Sequence, residues 1–138
     1  MSLRLPVGEV TVLLGPSVAR RRMMNRLDDA TGRCADGHDA GVRRLGARPV
    51  DPLADRLVAL DAVEPGRVAI LLVDRFTDGL AAAQRRAVLA RLPALAASGV
   101  AVLVDDADPV AGMAVADGAL RVDRSGDIRV EQLAYLAS

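Results

Sequence analysis

Short apolar runs alternate with helical patterns along the chain. Residues 9–14 are β-branched and apolar and are followed by Gly15-Pro16, which predicts a buried strand. Residues 68–73 and 100–104 are apolar at every position. Such continuous runs are typical of strands covered on both faces in a parallel sheet. The chain therefore predicts at least three buried strands.

Helices are predicted between and after these strands, from apolar residues spaced three and four positions apart. The segments are 19–29, 53–63, 79–97 and 109–116. Within the third segment, Pro93 removes one backbone hydrogen bond, which predicts a kink or an early break, and Gly99 is a stop signal. The alternation of strand and helix predicts an α/β domain with a mostly parallel sheet flanked by helices.

The rest of the chain has weaker patterns. Residues 119–123 and 127–130 flank Ser125-Gly126, which predicts a hairpin, and residues 131–137 predict a short terminal helix. Residues 30–66 open as a loop and are the hardest to assign, apart from the helix at 53–63. The length suits a single domain over residues 1–138, in which 30–66 form a variable segment.

Composition excludes several classes of protein. The chain is 51% apolar and 26% charged with a net charge of zero, which is enough apolar residues for a packed core. No apolar run reaches the roughly 18–20 residues of a membrane-spanning helix, so no direct span is expected. Cys34 is the only cysteine and His38 the only histidine, which excludes an internal disulfide and any zinc site of several His and Cys ligands. A reducing cytoplasm fits this usage.

All 18 basic residues are arginine. The absence of lysine excludes a Schiff-base lysine, a lysine general base and a phosphate-loop lysine. Phe76 and Tyr135 are the only aromatic residues, too few for a surface that stacks nucleic-acid bases. The zero net charge also argues against a general nucleic-acid binder. No specific nucleic-acid partner is expected.

Two stretches together resemble the ATP-binding cassette (ABC) ATPase family. Residues 8–22 look like the family's first strand and its phosphate loop, whose pattern is G-x-x-x-x-G-K-[ST]. Residues 70–80 look like its Walker B strand, and the match continues through 96–104 before it fades after Asp108. Over residues 8–29 and 56–130, the resemblance implies a P-loop NTPase-like core. It also implies ATP and Mg²⁺ as cofactors and a cytoplasmic subunit that associates with a membrane transporter component.

The phosphate loop departs from the family pattern. Gly15 is retained, but Val18 and Arg20 stand where the family has glycine, whose freedom lets backbone N–H groups curl around phosphate. Arg21 falls at the lysine position. Arg22 falls at the Ser/Thr position and cannot ligate Mg²⁺, because a guanidinium has no acceptor. The residues of this degenerate loop that the resemblance nominates for nucleotide binding are Gly15, Ser17, Arg20, Arg21 and Arg22.

The stretch that resembles Walker B also lacks the side chains that the family uses for catalysis. Asp74 matches the Walker B aspartate, which makes it the candidate metal-supporting residue, but Arg75 replaces the glutamate that polarises the attacking water. Ala81 and Ala107 fall where the D-loop aspartate and the switch histidine are expected, and no LSGGQ-like signature is present. Residues 30–66 are too few for the family's helical subdomain and Q-loop. The resemblance therefore assigns no catalytic residue.

Each of these signals has a functional and a purely structural interpretation. The run 20–22 is either neutralised by a bound anion or is a solvated basic turn. Asp74 either supports a metal or is paired with Arg75, Arg21 or a backbone N–H. Residues 105–108 carry three aspartates, which either bind a divalent cation together with Asp74 or form a polar loop and a helix cap.

Three functions follow from these observations. The first is a degenerate, catalytically inactive ABC ATPase-like domain without bound cofactor, which acts as an interaction or regulatory subunit. Its partner would be another protein, a transporter component or a second copy, and it would reach a membrane only through that partner. The alternative is a nucleotide-binding subunit whose weak ATPase activity is completed by a partner. The third is an arginine-rich module that binds anions or nucleic acid, whose binding would depend steeply on salt.

Overall fold

The computed structural model describes residues 5–31 and 41–132, which form one six-stranded sheet with helices on both faces. The strands are β1 (Val10–Leu14), β2 (Val42–Gly46), β3 (Ile70–Asp74), β4 (Ala101–Asp105), β5 (Gly118–Val122) and β6 (Ile128–Gln132). The helices are α1 (Ser17–Thr31), α2 (Leu53–Asp61), α3 (Ala82–Leu89), α4 (Leu92–Ala97) and α5 (Pro109–Val115). The spatial order is β2-β3-β4-β1-β5-β6, and every pairing is parallel except that of β5 with β6. This confirms the predicted α/β fold class.

The sheet separates two apolar layers, because successive side chains on each strand point to opposite faces. On one face, Leu13, Leu72 and Leu103 pack with Met23 and Met24 of α1. The other face packs against α2 to α5 and includes the buried side chains of Val10, Leu60, Leu71, Val88, Leu92, Val102 and Val104. Both faces of the central strands are therefore covered, as their unbroken apolar runs predict.

The two crossovers that leave β1 and β4 go to opposite faces of the sheet. From β1 the chain passes through α1 to the far edge at β2, and from β4 it passes through α5 to β5 on the other side of β1. Because β1 and β4 are neighbours and the connections that follow them run to opposite faces, a crevice is left between these connections at the carboxyl ends of the two strands. In open α/β sheets such a switch point is where ligands bind.

Most predicted elements are confirmed, with ends shifted by one to three residues. The break at Pro93 is confirmed, because α3 ends at Leu89 and α4 begins at Leu92 with the proline in its first turn. The predicted hairpin is β5 and β6. The helix predicted in 53–63 is α2.

Two expectations about elements fail or stay untested. The sequence pattern missed β2, because this edge strand has one buried side chain, Leu45, and two arginines among its five residues. The terminal helix predicted from residue 131 is wrong for residues 131–132, which pair in β6, and its remainder lies outside the described residues. Cys34 and His38 also lie outside the described residues.

Candidate functional site

The turn from β1 into α1 is only two residues long, Gly15 and Pro16. Gly15 has φ +123°, and a Cβ at this position would lie 2.0 Å from the carbonyl oxygen of Val122 on β5. The close approach of β5 therefore requires glycine here. Ser17 opens α1, and the Arg20 backbone N–H donates to the Pro16 carbonyl at 3.0 Å.

The helix predicted from residue 19 begins at Ser17, so the residues of the degenerate phosphate loop after Pro16 lie in α1. Residues 17–22 are helical, so the chain does not curl over them as the resemblance implies. Val18 lies in this helix and does not take the positive φ that a family glycine could adopt. Ser17, Arg21 and Arg22 are exposed on the first turns of α1, whereas Arg20 is largely buried.

Arg20 extends into the crevice between the ends of β1 and β4. Its Nη1 forms an ion pair with Asp105 Oδ1 and donates a second hydrogen bond of 3.1 Å to the Asp106 carbonyl. The two side chains are 14% and 4% exposed, respectively, so the pair is almost dry. Arg20 Nε is buried without a hydrogen-bond partner. The arginine at a family glycine position thus places its guanidinium at the switch point.

The charge of Asp105 is set by opposing effects. Burial raises the pKa of this carboxyl, and the nearby Asp74 carboxylate raises it further. The guanidinium groups of Arg20 and Arg75 lower it, but burial and Asp74 together outweigh them, so the pKa is raised overall. Asp74 and Asp105 are register partners on β3 and β4, which explains their coupling.

Asp74 is held by a residue that the sequence did not suggest. Arg44 on β2 donates to Asp74 Oδ2 from both Nε (3.0 Å) and Nη2 (2.7 Å). Arg44 also donates to Asp28 (3.2 Å) and Asn25 (2.9 Å) on α1. Burial lowers the pKa of Arg44, but the hydrogen bonds to the two carboxylates outweigh it and raise the pKa overall. The expected structural partners of Asp74, Arg75 and Arg21, are therefore corrected to Arg44.

A second polar cluster ties the turn after β3 to the turn after β4. The fully buried Thr77 donates to Asp106 Oδ2 at 2.6 Å and accepts a bond of 3.0 Å from Arg85 Nε on α3. Asp106 Oδ1 accepts the Asp108 backbone N–H at 2.9 Å. Asp108 in turn caps α5 by accepting the Ala111 N–H at 3.1 Å. The aspartates after β4 thus form hydrogen-bonded turns and a helix cap, which is the structural interpretation given above.

Arg75 takes a left-handed backbone conformation, with φ +51°, at the end of β3. Its N–H donates to the Asp105 carbonyl at 2.8 Å, which extends the pairing of β3 and β4 by one bond. A non-glycine residue in this region is uncommon and is held by its surroundings.

The buried guanidinium of Arg56 joins the loops that follow β2 and β3. This side chain is 2% exposed and donates only to backbone carbonyls. The shortest bonds reach Asp78 (2.6 Å) and Asp51 (2.7 Å). The other accepting carbonyls belong to Arg48, Pro49 and Phe76. The carboxyl ends of β2 and β3 are therefore fastened to α2 by one residue.

Three exposed valines surround this end of the sheet. Val18 (64% exposed) follows β1, Val50 (79%) follows β2 and Val110 (69%) follows β4. This end of the sheet, defined by Val18, Val50 and Val110, is called the carboxyl face below.

Sequence reasoning missed Arg44, Arg56 and Thr77. Arg56 left a signal, because it lies three residues after Leu53 and four before Leu60 and so falls on the apolar stripe of α2. Arg44 left none, since its role depends on β2 being placed beside β3. Among residues 5–31 and 41–132, no group of three or more His, Cys, Asp or Glu side chains is arranged to hold a metal ion.

A comparison with solved structures supports the fold. The structure is similar to a solved structure titled "Structure of ATP binding subunit of ABC transporter", with a TM-score of 0.66 and 12% identity, over 97% of this chain and 82% of that one. The resemblance to the ABC ATPase family is thereby confirmed at the level of the P-loop-like α/β fold. No protein-family model and no curated protein matches the sequence. Within the part of the chain that the structure describes, no helix is long and apolar enough to cross a membrane.

Proposed function

We propose that the chain is a degenerate ABC ATPase-like domain that does not turn over nucleotide and acts by binding a protein partner. The observation that carries this proposal is the ion pair of Arg20 with Asp105, which fills the crevice at the switch point. A phosphate group would have to displace a buried guanidinium from its carboxylate to enter there. The turn after β1 has no glycine loop whose free backbone N–H groups would bind the phosphate. Few new hydrogen bonds would therefore compensate for the lost ion pair.

The donor set fits MgATP poorly. Asp74 Oδ2 already accepts two bonds from Arg44. Arg22 at the family's hydroxyl position offers no oxygen to a cation. Arg75 at the base position carries a permanent positive charge and cannot accept a proton from water. The pairing of Asp74 with Arg44 favours a structural role for this carboxylate over a metal site.

The carboxyl face supports the interaction part of the proposal. Three exposed valines give this face apolar area that gains free energy when a partner buries it. The partner is a second copy, a transporter component or another protein. A cytoplasmic location, with membrane contact only through such a partner, and a single domain over residues 1–138 belong to the same proposal.

Calorimetry with ATP, with and without Mg²⁺, tests the loss of nucleotide chemistry. The purified chain is expected to give no Mg²⁺-dependent heat and no ATP turnover. Tight Mg²⁺-dependent binding, or turnover that disappears in Asp74→Asn but survives in the exposed control Asp61→Asn, would contradict the proposal. It would instead favour a nucleotide-binding subunit completed by a partner, with Arg21 in the lysine role.

Sedimentation over a range of concentrations tests whether the partner is a second copy. If it is, Val18→Asp weakens self-association, whereas Val58→Asp, an equally exposed valine on α2, leaves it unchanged. A monomer at all concentrations excludes the second copy and directs the search to a different protein.

A further inference from the structure

A cleft rich in arginine lies between α1 and the turn that joins β5 to β6. Three arginines line it, Arg22 and Arg26 from α1 and Arg124 from the turn. The remaining walls are Ala19, Met23, Val122, Ser125 and Gly126. Its volume is about 40 Å³. Since one water needs roughly 10–15 Å³ on this measure, the cleft has room for about three water-sized groups, which suits a tetrahedral oxyanion.

The cleft is separate from the crevice that Arg20 fills. Residues of an α-helix are spaced by about 100° around its axis. Arg22 and Arg26 therefore lie about 200° and 240° around α1 from Arg20. The two arginines face the β5–β6 turn, whereas Arg20 faces Asp105. An anion in the cleft leaves the Arg20 ion pair intact.

Within the described residues, the cleft has no counter-charge of its own. None of Arg22, Arg26 and Arg124 forms an ion pair with the described residues. Arg22 and Arg26 are four residues apart on α1, a spacing at which like charges repel. By contrast, Arg20, Arg44 and Arg85 are each paired with a carboxylate.

The nearest carboxylate in the turn is already engaged. Asp123 Oδ1 accepts the Ser125 hydroxyl (2.6 Å) and the backbone N–H groups of Ser125 and Asp127 (both 2.9 Å). The hydrogen bond from Ser125 is the main reason why the pKa of Asp123 lies below its usual value. This carboxylate holds the turn that presents Arg124 and is not paired with the guanidinium.

We propose that this cleft binds the dianion of a phosphate monoester. Guanidinium groups match phosphate oxygens with paired N–H donors, and three of them supply the charge that a dianion needs. A second cavity of about 370 Å³ shares Arg22 and Arg124 with the cleft. Its other walls are Pro16, Ser17, Val18 and Ala19, which gives the organic group of the ester a largely apolar place beside the phosphate. The site does not depend on the proposed loss of nucleotide turnover.

Titration calorimetry with phenyl phosphate at constant ionic strength tests the site. Arg26→Gln and Arg124→Gln are each expected to weaken binding at least about tenfold, because each removes charge-assisted hydrogen bonds to the dianion. Arg43→Gln is the matched control, since it removes one equally exposed arginine from β2 at the far side of the sheet. The control is expected to bind as the wild type does.

Inorganic phosphate and vesicles that contain phosphatidic acid distinguish the sources of the phosphate. Phosphate alone should bind more weakly than phenyl phosphate, because it leaves the second cavity empty. Tighter binding to the vesicles identifies a lipid monoester as the ligand. Tighter binding to phenyl phosphate identifies a soluble monoester. In either case Arg124→Gln must abolish the preference. The proposal is overturned if no ligand binds, or if Arg43→Gln weakens binding as much as the cleft variants do. Circular dichroism melts confirm that each variant is folded.

Discussion

The ion pair of Arg20 with Asp105 gives the sharpest quantitative prediction. Removing one partner of a buried pair costs on the order of 3–5 kcal/mol, because the other charge is left without compensation. Since the Arg20 and Asp105 side chains are only 14% and 4% exposed, Arg20→Met should lose about that much free energy of unfolding at neutral pH. A domain of this size has roughly 5–15 kcal/mol in total, so the variant should remain folded.

A double-mutant cycle separates the pair from its parts. Arg20→Met, Asp105→Asn and the double variant are unfolded with urea, and the coupling is the difference between the double loss and the sum of the single losses. We expect the double variant to lose at least about 1 kcal/mol less than that sum, which lies within the range measured for residues in contact. Asp61→Asn serves as a control, since its pair with Arg91 is exposed and contributes little. Additive losses would show that the two groups do not interact, and the argument for a filled crevice would then fail.

Three further predictions follow from the same structure. Arg56→Met should lower the free energy of unfolding by about 3–5 kcal/mol in urea denaturation, since it leaves several buried carbonyls unsatisfied; a loss below about 1 kcal/mol would contradict the assigned contacts. Gly15→Ala should destabilise the protein far more than Gly66→Ala, because only the first places a Cβ 2.0 Å from the Val122 carbonyl; equal melting temperatures would refute this. The pKa of Asp105 is raised above its ordinary value of 3.8, so its contribution to stability is fully present below that value and lost as pH rises through the folded pKa. The stability of the wild type relative to Asp105→Asn should therefore fall as pH rises from about 4, and a rise would mean that Arg20 outweighs burial.

The central strands were predictable because burial on both faces leaves a mark in sequence. Residues 68–73 and 100–104 have no polar position, and only a covered strand has that pattern. The edge strand β2 has one buried side chain, Leu45, and its remaining positions do not distinguish a strand from a loop. A strand that stabilises the sheet mainly through backbone hydrogen bonds has few apolar residues. Hydrophobic periodicity is then too weak to predict the strand.

The sequence predicted where the residues of the candidate site lie along the chain, but not which of them contact one another. The sequence placed Arg20 at the start of a helix and Asp74 at the end of a strand. It could not pair them, because Arg20 meets Asp105 across 85 positions and Asp74 meets Arg44 across 30. Such contacts depend on strand order and register, which a local pattern does not contain. Because β2 was not predicted, Arg44 on this strand could not be recognised as the partner of Asp74.

The contacts of Arg56 have a consequence for how the domain opens. The guanidinium of Arg56 donates to carbonyls of the segment 48–51 and of the turn 76–78. The backbone of Arg56 belongs to α2. If either segment separates from the sheet, hydrogen bonds to the same guanidinium that holds the other segment are broken. Amide protons in both segments should therefore exchange with solvent through one cooperative opening, although they lie far apart in sequence. A partner that docks on Val50 would then slow exchange in the turn after β3 without touching it.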